Sequence, residues 1–218
     1  MTAAPKMIAI DMDGTLVHPG GTVSPGNQDA LDRARAAGAR IVIATGRRHS
    51  YAMKVLTTGK FHPEDIVLSS NGTLARTMDG RLLFRESMPT ETALWLCKTA
   101  DAYRNCLVFT FDTADDHGNE TSSALVLEQL EDLNASIEKW MAANAANIRR
   151  VVPIEAALEE ASFPIIQSML CGTLERMEAA FRMLLEANDD RLTITRTVYP
   201  LRNLCILDIV PRGCSKGA

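Results

Sequence analysis

The sequence lacks any long apolar run. Its longest stretches, such as residues 41–44 and 205–209, fall far short of the ~20 residues a membrane-spanning helix needs. No membrane partner is therefore expected. The apolar stretch at Met7–Ile10 ends at Asp11, too soon for a signal-peptide core, so a cytoplasmic location is expected. Cysteine is sparse and unpaired in pattern. The five residues Cys97, Cys106, Cys171, Cys205 and Cys214 are odd in number and form no C-x-x-C. A disulfide framework or a zinc knuckle does not fit that usage, whereas a reducing compartment does. Aromatic residues make up 5%, too few for the stacking platforms that grip single-stranded nucleic acid. Positive charge is not in excess either: 23 Lys and Arg face 27 Asp and Glu, a net charge of −4. No nucleic-acid partner is expected from that balance. The four histidines, His18, His49, His62 and His117, show no ligand spacing, and His18 and His49 read as surface loop residues. There is no internal repeat and no low-complexity tract.

What remains is the composition of a folded chain, 46% hydrophobic and 23% charged over 218 residues. A chain of that length buries roughly 70% of the surface its unfolded form exposes. Residues 7–10 are apolar on both parities and predict a strand buried on both faces. Ser24-Pro25 starts a helix, with a capping oxygen followed by a residue that has no N–H to satisfy, and Gly38 stops it. Residues 40–44 and 66–68 are further apolar strands, with a helix over 50–58 between them. Strand–helix–strand–helix–strand with short links predicts a parallel sheet.

The pattern then changes. Met78-Asp79-Gly80 between two short apolar runs signals a hairpin. Helices are expected over 90–103, 121–133, 135–144, 154–161 and 174–187, with strands over 107–111, 164–170, 191–198 and 204–210. Met177, Phe181, Leu184 and Leu185 form an apolar stripe that reads as core packing. Asp112, Asp115 and Asp116 read as a solvent-facing acidic loop. The fold class is thus α/β, a Rossmann-like core formed by 1–82 and 211–218 with an α+β insertion over 83–210.

Chemistry concentrates at Asp11-Met12-Asp13-Gly14-Thr15, where the first strand stops. Open parallel sheets present ligands at such strand ends. Side chains two apart share a side, so Asp11 and Asp13 converge, and Gly14 permits the sharp turn. Two adjacent carboxylates repel, and a hard oxygen-seeking cation such as Mg2+ resolves the conflict. Thr45-Gly46-Arg47 ends the second strand. There a hydroxyl, the free N–H groups of a glycine turn and a planar guanidinium suit phosphate. Ser70-Asn71-Gly72 closes the third strand, and Lys216, beside Ser215 and Gly217, can offer an ammonium.

In the order IAIDMDGTL, IVIATGR, SSNGT, a long insertion, then PRGCSKGA, the chain resembles the haloacid dehalogenase superfamily of aspartate-nucleophile phosphatases, and more narrowly its Cof-type sugar-phosphatase branch. The resemblance implies an inserted α/β cap. It makes Asp11 the nucleophile and Asp13 the acid and base, both also ligands to Mg2+. It places Met12, Thr45, Gly46 and Lys216 on the phosphate and Arg47, Asn71 and Gly72 on the substrate, a small phosphorylated metabolite with sugar phosphates foremost. The superfamily carries a further acidic motif, G-D-x-x-N-D, after the lysine, and no Gly-Asp dipeptide occurs here. The chain is accordingly expected to be a truncated member with weak Mg2+ affinity, little turnover and a first strand left at a sheet edge open to self-association. A phosphomannomutase-like phosphotransferase and an inactive phosphate-binding fragment share these residues as alternatives. A signalling receiver also joins Asp, Thr and Lys at strand ends, but its acceptor Asp lies mid-chain.

Overall fold

A computed structural model describes residues 5–18, 20–131, 135–160 and 162–217. The expected helix ends at Leu133 and Ala161, and the terminal Ala218, lie outside the described residues. The chain divides into two units, Met1–Arg85 with Asp115–Asn119 and Ser215–Ala218, and Glu86–Ala114 with Glu120–Cys214.

The first unit follows the expected order. It contains β1 (Met7–Asp11), α1 (Pro25–Ala36), β2 (Arg40–Ala44), α2 (His49–Leu56), β3 (Ile66–Ser69), β4 (Leu74–Thr77) and β5 (Leu82–Arg85). The sheet order is β1-β2-β3-β4-β5, parallel across the first three and antiparallel beyond. Ser24 caps α1 as its hydroxyl accepts from the Asn27 N–H at 3.1 Å. Gly38, at φ 87°, takes the left-handed turn that ends it. Ile41, Val42, Ile43 and Ala44 are all buried, as a strand covered on both faces requires. β1 differs. It pairs only with β2 among the described residues, and Met7 is 59% exposed. The expectation of burial on both faces fails because Ile8 and Ile10 pack on the core while Met7 and Ala9 are exposed, so only one face of the strand is covered.

In the second unit come α3 (Thr90–Thr99), β6 (Leu107–Phe111), β7 (Leu125–Leu127), α4 (Ala135–Asn144), β8 (Ile148–Arg150), α5 (Ile154–Glu159), β9 (Ile165–Gly172), α6 (Leu174–Ala187), β10 (Leu192–Tyr199) and β11 (Leu204–Pro211). Its sheet runs β10-β11-β9-β6-β7-β8. The strand period separates two cores. Leu107 and Phe109 of β6 join Leu96, Leu158, Met177 and Leu184 on one face, while Val108 joins Leu127, Ile137 and Ile206 on the other.

Several expectations are corrected. Residues 121–131 hold no helix: Leu125-Val126-Leu127 pairs with β6 and is buried on both faces. A three-residue apolar run carries no period of its own, and the neighbouring strand decides its form. β8, Ile148-Arg149-Arg150, was not foreseen because three residues with a single apolar side chain show no strand pattern. Leu185 is 50% exposed, and Ala180 takes its place in the α6 core stripe. His49 is buried at the start of α2, and Asp112 is buried where its N–H bonds the Pro164 carbonyl at 2.9 Å, so neither is a surface loop residue. The unit boundaries shift as well. β5 pairs with β4 and carries the first unit to Arg85. Along the other boundary, β11 reaches Pro211, and the Gly213 N–H donates to Thr193 on β10 at 2.9 Å, so residues 211–214 stay with the second unit. Asp115–Asn119 belongs with the first because the buried Arg76 donates to the Asp115 carbonyl at 3.1 Å.

Candidate active site

Register aligns the strand ends. Asp11 lies opposite Ala44, and Ala44 opposite Leu68, so the segments leaving β1, β2 and β3 emerge side by side. All the residues of interest belong to the first unit. The loop after β1 is tightly tied. The Met12 N–H donates to the Ala44 carbonyl at 3.1 Å, Leu16 to Asp11 at 3.1 Å and Val17 to Met12 at 2.8 Å. Met12 is fully buried and Leu16 and Val17 nearly so, whereas the side chains of Asp11 and Asp13 are 42% and 51% exposed. Apolar anchors thus hold the loop while both acids face outward.

Each acid has a cationic partner. Lys216 places its Nζ 3.0 Å from Asp11 Oδ1. Arg47 forms a fork on Asp13, Nε to Oδ2 at 3.0 Å and Nη2 to Oδ1 at 2.5 Å, the bidentate geometry guanidinium favours. Arg47 also lies over the Tyr51 ring at 5.2 Å, with Lys54 near the same ring at 5.7 Å. Thr45 is 1% exposed, and its hydroxyl accepts from the Arg47 N–H at 3.1 Å. The loop after β3 joins this turn: Ser70 donates to the Arg47 carbonyl at 2.9 Å and Asn71 to the Thr45 carbonyl at 3.2 Å.

The structure therefore brings Asp11 to Lys216, Asp13 to Arg47, and Thr45 and Gly46 to Asn71. Tyr51 is a neighbour that motif reading missed. Tyr51 sits four residues after Arg47 near the start of α2, a helical spacing that could have revealed it. Among the described residues no group of three His, Cys, Asp or Glu side chains is arranged to hold a metal ion. A groove of about 860 Å³ in the same unit is lined by Arg40, Ile41 and Ile66, at the strand starts, so it lies at the opposite end of the sheet from Asp11.

Comparison with known proteins places these residues in context. A Bacillus subtilis protein, phosphatase YwpJ, is 37% identical over 91 residues, covering 40% of this chain and 30% of that protein. The chain thus matches well under two thirds of that relative's length. Among solved structures, TM0651 from Thermotoga maritima aligns with a TM-score of 0.70 at 19% identity, over 98% of this chain and 72% of that one. The HAD subclass IIB sugar phosphatase BT4131 aligns with a TM-score of 0.64 at 19% identity, over 97% and 72%. At such identities the structural likeness speaks for the fold. The profile of the haloacid dehalogenase-like hydrolases matches residues 8–218, a span that runs from β1 through Lys216, and the chain belongs to that family.

Proposed function

We propose that the chain carries the machinery of a Mg2+-assisted phosphomonoester hydrolase acting on a small phosphorylated metabolite, with sugar phosphates as the leading substrate class. The observation that carries this reading is the 3.0 Å contact between Lys216 and Asp11, residues 205 apart in sequence. An ammonium at a carboxylate that ends a parallel strand equips one point with a nucleophile and a charge to stabilise the oxyanions around it.

An Asp11 carboxylate oxygen attacks phosphorus, a P–O bond forms, and the bond to the leaving oxygen breaks. Asp13 gives that oxygen a proton. In the second step Asp13 takes a proton from water, whose oxygen attacks the aspartyl-phosphate. The bond from phosphorus to Asp11 breaks, and inorganic phosphate leaves. Lys216 and the Thr45 hydroxyl face the charge that grows on the phosphoryl oxygens. For Asp13 to exchange protons, its fork with Arg47 must open, and the incoming phosphoryl dianion is the competing partner that Arg47 would take. The second unit, in the place of an inserted cap, would select the leaving group and exclude water.

The donor set suits Mg2+ in kind. The carboxylates of Asp11 and Asp13 and the Asp13 carbonyl are hard oxygen donors, and Mg2+ commonly takes one or two carboxylates with water and substrate phosphate. When bound, the cation would neutralise charge on the phosphoryl group. With no third side-chain ligand among the described residues and both carboxylates already paired, its affinity is expected to be weak.

Hydrolysis of p-nitrophenyl phosphate with excess Mg2+ tests the reading. Slow phosphate release that Asp11→Asn abolishes is the expected result. Turnover that survives Asp11→Asn would overturn it. Phosphate binding without turnover in the unmodified chain would favour the alternative of a phosphate-binding protein.

A further inference from the structure

The second unit holds a cavity of about 210 Å3 that the proposed reaction does not use. Its floor is sheet. Cys171 of β9 lies opposite Ile206 of β11, and Leu204 of β11 lies opposite Tyr199 of β10, so three strands turn these side chains to one face. Against that face α4 packs Ile137 and Trp140. Helix and sheet do not close completely, and Trp140, Met169, Cys171, Tyr199 and Ile206 surround the gap. Close-packed interiors leave few spaces larger than a water molecule, so a gap of this size between packed layers calls for an occupant.

The lining says what fits. The chain has only two tryptophans and three tyrosines, and one of each stands here. Aromatic side chains favour another ring, offset or edge to face. The sulfur atoms of Met169 and Cys171 add to that preference, because sulfur packs favourably on aromatic carbon. Burial pushes the Cys171 thiol up to about 12, so it stays a neutral wall near pH 7. Charge is one-sided. Among the described residues Arg202, whose guanidinium lies 5.9 Å from the centre of the Tyr199 ring, is the single charged residue on the lining, and no acid accompanies it. In a chain of net charge −4 that is a local exception. A guanidinium beside a ring-lined space favours a carboxylate carried on a ring. Volume sets the size. A cavity of about 150 Å3 takes one benzene ring, which leaves room here for one ring with a short acidic arm.

We propose that this cavity binds a small aromatic acid, its ring held among Trp140, Tyr199 and the two sulfur side chains and its carboxylate on the Arg202 guanidinium. Every residue of the site belongs to the second unit, whereas Asp11, Asp13 and Lys216 belong to the first, so the inference stands whether or not the chain turns over phosphate.

Phenylacetate, titrated into the full chain at neutral pH, is the probe. Trp95, the other tryptophan, packs on the core of the opposite sheet face, with Arg191 over its ring at 5.4 Å. In a Trp95→Phe background the fluorescence therefore reports Trp140 alone. The expected result is a saturable change in emission, with calorimetry giving one phenylacetate per chain. Arg202→Gln keeps a polar side chain at an exposed position and removes the charge. It is expected to weaken phenylacetate roughly tenfold to a hundredfold, the range for a hydrogen bond to a charged group, and to leave the affinity for neutral benzyl alcohol unmoved. Calorimetry on the chain with both tryptophans gives the same comparison should Trp95→Phe fold poorly. Absence of saturable binding, or equal phenylacetate affinity in Arg202→Gln, would overturn the inference. So would Trp140 emission that changes with protein concentration alone, which would put a second copy of the chain in the cavity.

Discussion

Lys216→Ala removes the ammonium that lies 3.0 Å from Asp11 and leaves the rest of the strand ends in place. The side chain is 44% exposed, so its loss costs the fold little. Its value lies in the reaction, where charge builds on the phosphoryl oxygens. Removal of a comparable donor elsewhere lowers turnover by about a hundredfold to a thousandfold. The expected outcome is a fall of that order in kcat with a smaller change in KM, read by steady-state kinetics on p-nitrophenyl phosphate. A change confined to KM would instead make Lys216 a ground-state anchor. Residue chemistry of this kind was legible in the sequence. Asp11, Asp13 and Thr45 stand where an apolar run stops, and the hydropathy pattern marks that place, whereas Lys216 lies beyond the end of the last strand. The hidden part was the pairing: no spacing rule could say that Arg47 clasps Asp13 and lies on Tyr51, because the three come from a strand end, a loop and a helix.

At the scale of elements, backbone contacts decide what side chains can do. Gly72→Ala would set a methyl 2.1 Å from the Ser215 carbonyl at a φ of 94°, and backbone cannot yield as a flexible side chain can. The variant is expected to lose about 2 kcal/mol or more of stability, as strained special positions do. It should also lose most phosphatase activity because Lys216 follows Ser215 directly. Thermal unfolding and the same assay check both. In the second unit, Arg104 joins the turn after α3 to the first turn of α5, with a fork on Glu155 and a bond to Glu128 at 3.1 Å. The Arg104 hydrogen bonds are the main cause holding the Glu155 carboxyl below its ordinary value of 4.5. A depressed carboxyl stabilises the fold above its unfolded pKa and loses that contribution as pH falls through the folded one. Unfolding temperature should therefore drop as pH goes below about 4.5, and Glu155→Gln should flatten that limb while lowering the plateau near neutrality. An unchanged acid limb in the variant would show the pair to be idle. Helices with their own signals, such as α1 with Ser24-Pro25 and α6 with its apolar stripe, were readable in advance. The stretch over 121–131 was not, since Leu125–Leu127 becomes a strand only because β6 lies beside it.

At the scale of the whole molecule, β1 is one of the edge strands of its sheet. β1 pairs with β2 alone, and Met7 and Ala9 face outward. Unpaired backbone groups along an exposed strand invite another strand. Concentration-dependent association is expected in analytical ultracentrifugation, and Ala9→Lys, a charge of the sort that guards natural edges, should shift the distribution toward monomer. An unmodified chain that stays monomeric at high concentration would contradict this. The division into two units was only partly readable. The attachment of Asp115–Asn119 to the first unit depends on Arg76, whose reach to the Asp115 carbonyl bridges 39 positions of sequence.

The alternation around Met12 has a practical side. The residue between the two acids is wholly out of water, while its neighbours on either side point away from the interior. Reactivity and packing are thus assigned to different members of one tripeptide. An Asp11→Asn chain should keep its fold and serve as a trap, holding whatever metabolite it recognises long enough for mass spectrometry to name it.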